Sequence, residues 1–472
     1  MILKGRRADL TEGRVMPGLL FFTLPIIATS FLQMVYNATD MMVVSLSSEP
    51  NAVGAVGSAG PFVNLIVNLF IGFSVGSNVT IARRIGAKDV QGARKATHTA
   101  VALALIFGVL CMCIGELVSH PILTLMGISP GAFDLSLTYT RIYFIGIPFI
   151  ALTNFLISVC RARGDSATPM RVLAFSGFVN VCLNLFMVLV VGLSVEGVAI
   201  ATVAANIISF AILFVKLKHS DEYTRISLRE LGLDRPSLAA IIHIGLPSAM
   251  QGSFIAITNM VVQSSVATVD KLLTPDPELT PVLNGNAAAT NLDVFIYTAM
   301  NSVYQGVMSF TGQNFGAKRL DRVKRGYSSG LIIVFGVWAM MTGLMVLFRA
   351  PLLSLYGIRN GAPGTADAIA YGVAMERMIY IALPYFLCGF LEVSNGVMRG
   401  LGRSIPPFFI TFTGLCMLRI CWNLFVFPYF GTIACIYVGN PITWVATSAV
   451  SIPLSLCFIG REKKKLELSE QQ

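Results

Sequence analysis

Long apolar runs recur along the chain, each about 20–28 residues with charges only at its edges, which is the length an α-helix needs to cross a hydrocarbon layer of ~30 Å. Read run by run, the pattern predicts twelve spans, near 17–44, 52–82, 95–118, 137–160, 168–191, 193–216, 239–269, 286–314, 325–348, 371–398, 405–429 and 432–459. Composition agrees: 55% of the residues are hydrophobic and only 12% are charged, against roughly 25% charged in a soluble domain. The expected fold class is an all-α polytopic membrane protein. The first apolar run is too long for a cleavable signal peptide and more spans follow it directly, so no such leader is expected.

The net charge of +10 is a topology signal. Most of the basic residues fall in alternate loops, beginning with Lys4, Arg6, Arg7 and Arg14, then Arg83, Arg84, Lys88, Arg94 and Lys95, then Arg161, Arg163 and Arg171. The same side receives Lys318, Arg319, Arg322, Lys324 and Arg325, and finally Arg461 and Lys463 to Lys465. By the positive-inside rule both termini are expected in the cytoplasm, with the chain in the inner (plasma) membrane. This distribution argues against a nucleic-acid partner and for the lipid bilayer.

The two halves resemble one another. The loop after span 2 reads RRIGAKDVQGARKA (83–96) and the loop after span 8 reads GQNFGAKRLDRVKRG (312–326), sharing Gly-Ala-Lys at 86–88 and 316–318. After span 4 comes RARGDSATP (161–169), and after span 10 comes RGLGRSIPP (399–407), with Arg, Gly, Ser and Pro in matching places. Copies of six spans must share one orientation, so the repeats are parallel and two six-helix lobes are expected to face each other across a cleft. The predicted layout is an N-terminal lobe (1–216), a cytoplasmic linker (217–238), a C-terminal lobe (239–460) and a tail (461–472). Between spans 7 and 8, residues 269–288 carry three prolines with Asn and Gly and are expected to form an ordered or partly extended outer loop.

Chemistry is sparse. The nine cysteines fall inside predicted spans and show no ligand or disulfide spacing, so they are expected to be small buried apolar residues. The four histidines are scattered. An intramembrane enzyme would need clustered acids, histidines or basic groups at one face, and no enzyme activity is expected. Asp40, about six residues or ~9 Å from the outer end of span 1, is a carboxylate at membrane depth and hence a functional candidate.

The Pro-containing first span ending in Asp40, the two Gly-Ala-Lys loops and the RARGDSATP and MRGLGRSIPP (398–407) loops together resemble the multidrug and toxic compound extrusion (MATE) family, over about residues 15–460. Within it the chain looks most like the DinF-like and MepA-like branch: span 7 has no carboxylate, where the NorM branch carries acids in spans 7 and 10. The resemblance implies a V-shaped pair of lobes that exports organic, often cationic, compounds in exchange for inward H+ or Na+, with no cofactor besides the coupling ion. Asp40, Asn154, Asn180 and Thr202 match the ion pocket of that branch residue by residue; Asn184 departs from it, because several relatives carry Asp there. A lone carboxylate among amides and hydroxyls takes up a proton only through loss of hydration, or else stays ionised and holds Na+ with oxygens of Asn180, Asn184 and Thr202. A competing reading makes Asp40 only a hydrogen-bonding partner of a neighbouring helix.

Pro25 removes a backbone hydrogen bond and is the expected hinge of span 1. The residues expected to line the cleft are Gln33, Met34, Tyr36, Asn37 and Tyr139 in the first lobe, and Gln251, Asn259, Gln263 and Met300 in the second. Asp293 and Arg419 sit at similar predicted depth, which permits an ion pair, and Glu392 lies ~10 Å from the cytoplasmic end of span 10. The partners implied are small organic cations, and a monomer is expected. The alternative on the same fold is a flippase or exporter of a lipid-linked or polar metabolite.

Overall fold

In the computed structural model, which describes residues 9–49, 51–273, 279–362 and 364–471, the chain is helical throughout, with no strand among the described residues. Lys4, Arg6, Arg7 and residues 274–278 of the expected outer loop lie outside the described residues. Twelve long helical segments follow one another. We number them α1 (Val15–Val44), α2 (Ala52–Gly86), α3 (Val90–Leu125), α4 (Pro130–Ala162), α5 (Ala167–Leu185, continued by a π-helical turn Phe186–Val190) and α6 (Val195–Lys218). Then come α7 (Arg235–Leu273), α8 (Pro281–Gly316), α9 (Leu320–Leu347), α10 (Ala366–Gly400), α11 (Ile405–Phe430) and α12 (Ile433–Glu470). Eleven are long and apolar enough to cross a membrane; α8 has the length but is more polar, with buried Asn286, Asp293, Gln313 and Asn314 along it.

Two expectations change. The loop between spans 7 and 8 is shorter than 269–288, because Leu273 still ends a helix and Pro281 already begins one. The cause is Asp270, which accepts the backbone N–H of Val282 at 2.8 Å and of Leu283 at 3.3 Å, so the end of α7 caps the start of α8. Of the nine cysteines, Cys111, Cys160, Cys388 and Cys416 are buried, whereas Cys113, Cys182, Cys421 and Cys457 are exposed on helices. Lipid offers a thiol the same apolar surroundings as a protein core, so burial is not required of it.

Packing divides the chain into two compact units. The first is Phe21–Met250 with Gly312–Arg319 and the preceding residues to Gly13; the second is Gln251–Thr311 with Leu320–Gln472 and residues 14–20. The core of the first includes Phe155, Leu156, Leu213 and Ile241, and that of the second Leu391, Ile436, Tyr437 and Trp444. The expected linker is tied to α3: the Ser227 N–H donates to His98 Nε2 at 3.0 Å, and Arg94 pairs with Glu230 at 2.5 Å.

The repeat reappears as matching turns. Lys88 and Lys318, the third residues of the two Gly-Ala-Lys motifs, have φ of 57° and 59° and are the only non-glycine residues with positive φ among the described residues. In one turn Ala87 N donates to Arg83 O at 3.0 Å and Asp89 N to Arg84 O at 3.0 Å; in the other Ala317 N donates to Gln313 O at 2.9 Å and Arg319 N to Asn314 O at 2.8 Å. Both are helix ends closed by a left-handed residue. The second pair of loops matches too, with Gly164 and Gly402 at φ of 84° and 77°.

Within the first unit the two Gly-Ala-Lys helix ends touch. A side chain on Gly86 would overlap the carbonyl of Gln313, and one on Gly316 would overlap the carbonyl of Arg83. The close approach is held by Gln313 Nε2 donating to Ala162 O at 2.6 Å and by the Arg83 guanidinium over the Phe315 ring at 4.7 Å. In the RARGDSATP loop, Asp165 pairs with Arg163 at 2.8 Å and accepts the Thr168 N–H at 2.9 Å. Burial alone would raise its pKa, but these donors and the guanidinium charge outweigh it and hold the carboxyl below the usual carboxylate range.

Gly86→Ala and Gly316→Ala are each expected to destabilise the chain by about 1–3 kcal/mol through overpacking, whereas Gly57→Ala, whose added methyl meets nothing, leaves it unchanged; thermal unfolding in detergent checks this. Asp165 stabilises the fold above the unfolded carboxyl pKa, and that contribution is lost as the pH falls through its depressed folded value. Asp165→Asn is therefore expected to lower the melting temperature at neutral pH and to do so progressively less as the pH drops into the acid range.

Candidate functional site

Two helices of the first unit, α5 and α6, bring hydrogen-bonding side chains to Asp40. It stands on α1, half-buried, one turn from the helix end at Val44. From α5, Asn184 Nδ2 donates to Asp40 Oδ1 at 2.5 Å and also to Asn180 Oδ1, one turn back, at 3.3 Å. From α6, Thr202 Oγ1 donates to Asp40 Oδ2 at 3.4 Å. Each carboxylate oxygen thus meets one neutral donor, and no cationic side chain pairs with Asp40 among the described residues. The carbonyl oxygen Oδ1 of Asn184 is fully buried and has no partner. The π-helical turn Phe186–Val190 begins two residues beyond Asn184, and such turns gather at functional sites.

The arrangement can do two things. As drawn, Asp40 accepts two hydrogen bonds, which suits the ionised form. A half-turn of the Asn184 amide would present its unpartnered oxygen to Asp40, an acceptor for a protonated carboxyl. The same oxygens, with Asn180 Oδ1 and Thr202 Oγ1, are hard donors of the type Na+ takes. Among the described residues there is no cluster of His, Cys, Asp and Glu that would hold a transition metal.

Other expected site residues fall elsewhere. Asn154 donates to Ile150 O on its own helix at 2.9 Å and makes no hydrogen bond to Asp40. On α1, Gln33 and Asn37 are exposed and Met34 is half-buried. Tyr36 is committed to packing: its hydroxyl donates to Leu173 O at 3.0 Å, and Gly177 leaves room for its ring. Tyr139 on α4 makes no hydrogen bond to Asp40 but does stay near it: it lies against Tyr143, with centroids 6.0 Å apart, and both rings are close enough to feel the Asp40 charge.

In the second unit Gln251 is buried and accepts from Arg399 at 2.6 Å, Asn259 is exposed, and Gln263 Oε1 accepts from Asn286 at 3.2 Å. Met300 is corrected: it is fully buried against Gly389 and fills the core, because glycine leaves a hole that a flexible thioether fits. Glu392 is buried and makes no hydrogen bond among the described residues. The permitted pair of Asp293 with Arg419 does not form. Asp293 pairs instead with Arg377 of α10 at 2.8 Å, and Arg377 also donates to Asn286 Oδ1 at 2.9 Å, the atom that accepts from Tyr437. Arg377 was legible as a charge inside the predicted span 371–398, the same signal that singled out Asp293. Similar depth could not choose between two arginines; the helix faces did.

The family model described as MatE matches residues 25–186 and 256–425 of the chain. The chain belongs to the MatE family. A protein named "Probable multidrug resistance protein YoeA" from Bacillus subtilis (strain 168) is 28% identical over 399 residues, covering 82% of this chain and 81% of that one. A "FAD transporter" from Shewanella oneidensis is 22% identical over 349 residues, covering 73% and 74%. Among solved structures, one titled "Outward-facing conformation of a multidrug resistance MATE family transporter of the MOP superfamily" superposes with a TM-score of 0.87 at 21% identity, covering 97% of this chain and 99% of that one. The chain is therefore a multi-pass membrane protein of a multidrug efflux transporter family, with the two-lobe all-helical MATE fold.

Arg377→Gln leaves Asp293 buried without its counter-ion and is expected to cost about 3–5 kcal/mol of stability in this MatE chain. The double variant Arg377→Gln with Asp293→Asn is expected to recover part of that loss, which a thermal-denaturation double-mutant cycle measures.

Proposed function

We propose that the chain is a secondary active exporter of organic cations, driven by inward H+ or Na+ at Asp40 and working by alternating access in the plasma membrane with both termini cytoplasmic. The observation that carries this reading is a half-buried carboxylate at membrane depth with only neutral partners, on the proline-containing first helix. A carboxylate held by donors alone is a site a cation can neutralise. Of the two ions we favour H+, because the buried, unpartnered Asn184 oxygen gives the protonated carboxyl an acceptor after an amide flip. Asn154 lends nothing to this step through hydrogen bonding. Pro25 has no N–H for the Phe21 carbonyl, so α1 is the helix most easily bent when Asp40 changes charge. Gln33 and Asn37, exposed on the same helix, are the side chains most open to a substrate. A monomer suffices for this cycle.

The second reading, export of a polar metabolite, is favoured by the relative named a FAD transporter. Proteoliposomes with a pH gradient and a Na+ gradient imposed separately decide between them. Wild type is expected to move an organic-cation dye under the pH gradient, and Asp40→Asn under neither. If Asp40→Asn transports as well as wild type, the coupling role is wrong; if no gradient moves a cation, the metabolite reading replaces this one. Asn184→Leu is expected to slow ion-driven transport about 10-fold, the equivalent of one hydrogen bond to a charged group, and Thr202→Val less, since its bond is longer.

A further inference from the structure

Arg419, on α11, is the least compensated buried cation of the second unit among the described residues. Its side chain is 6% exposed, its Nε is fully buried without a partner, and its single side-chain hydrogen bond runs from Nη2 to Thr443 Oγ1 at 3.3 Å. No carboxylate lies within ion-pair distance among the described residues; Asp293, which could have served, is taken by Arg377. The ionisable groups around the guanidinium are Cys388, Tyr385 and Cys416, together with Arg377, which adds a second positive charge. A buried guanidinium without a counter-anion is costly, and the structure supplies none.

Beside it stands a set of aromatic rings. Trp444, the neighbour of Thr443 on α12, stacks on Tyr385 with centroids 4.9 Å apart and a tilt of 20°. Tyr385 in turn faces Tyr297 of α8, again at 20° but with centroids 6.5 Å apart. Both tyrosines are only half-buried, and neither hydroxyl has a hydrogen-bond partner among the described residues. The two tyrosine rings are near-parallel, so one planar ring can lie along both. Tyr385 sits where α10 departs from regular helix, over Met378–Tyr385, and backbone of that kind adjusts more readily than a straight helix.

We infer that the second unit holds a binding site for a planar aromatic anion, its ring stacked on Tyr385 and Tyr297 and its carboxylate or phosphate paired with Arg419. The orientation follows from charge. Glu392 lies beside Tyr297 and repels an anionic group there; at the Tyr385 end Asp293 and Arg377 neutralise each other as an ion pair, which leaves Arg419 as the uncompensated charge. Guanidinium groups recognise carboxylate and phosphate alike, and stacking accepts any planar ring. The inference does not depend on Asp40, which belongs to the other unit, and it extends the substrate range beyond cations to aromatic compounds that carry a negative group.

The test uses the purified full-length chain in detergent and three probes: 2-naphthoate, its neutral isostere 2-naphthamide, and acetate. Calorimetric titration is expected to give 2-naphthoate a Kd at least about tenfold below either of the others. Arg419→Gln is expected to bring 2-naphthoate to the level of 2-naphthamide, and Tyr385→Leu to weaken both aromatic probes together. Equal affinities for 2-naphthoate and 2-naphthamide in wild type would overturn the proposal. So would a preference that survives Arg419→Gln, or acetate binding as tightly as 2-naphthoate, which marks a small-anion counter-ion site instead. Should Arg419→Gln fail to fold, the wild-type comparison and Tyr385→Leu still decide.

Discussion

Hydrocarbon offers no hydrogen bonds, so every backbone N–H and C=O within the membrane has to be paired inside the chain, and this requirement organises the whole molecule. It explains why the described residues are helical throughout, and one departure from regular helix shows how a side chain supplies a missing partner. In α10 the irregular stretch before Pro384 exposes the Ala382 carbonyl, and the Trp338 indole of α9 donates to it at 2.9 Å. The Trp422 indole, at the start of the π-helical turn Trp422–Val426, donates to Cys435 O of α12 at 2.9 Å.

The same scarcity governs charge. Asp293 is tolerated because Arg377 meets it, and Arg377 in turn is held by Asn286 and lies over the Tyr437 ring. Asp40 and Arg419 lack such counter-ions. Each is surrounded by neutral partners, one by amide and hydroxyl donors, the other by a single hydroxyl and a set of rings. A charge left without its opposite inside the membrane is a place for a mobile one, and both functional proposals rest on that reasoning, with opposite signs in the two units.

Much of the fold was legible beforehand because membrane spans announce themselves by length and because a duplicated sequence repeats its turns. The Gly-Ala-Lys and Arg-Gly-Ser-Pro matches anticipated paired turns, and Lys88 with Lys318 and Gly164 with Gly402 share the backbone conformations that pairing implies. The polar groups were legible as residues but not as partnerships. Asp40, Asn180, Asn184 and Thr202 do converge, while Asn154 turns back to its own helix, and Met300, chosen for its polarizable sulfur, is core.

By itself the sequence determined which segments enter the membrane, the parallel repeat and the presence of a carboxylate at depth, since these follow from hydrophobic length, chain symmetry and the identity of single residues. Only the tertiary structure decided which charge meets which: that Arg377 rather than Arg419 neutralises Asp293, and that Arg419 is left with the Thr443 hydroxyl as its side-chain partner. The physical reason is that depth along a helix axis is written in residue number, whereas the direction a side chain takes around that axis acquires a partner only when another helix packs against it.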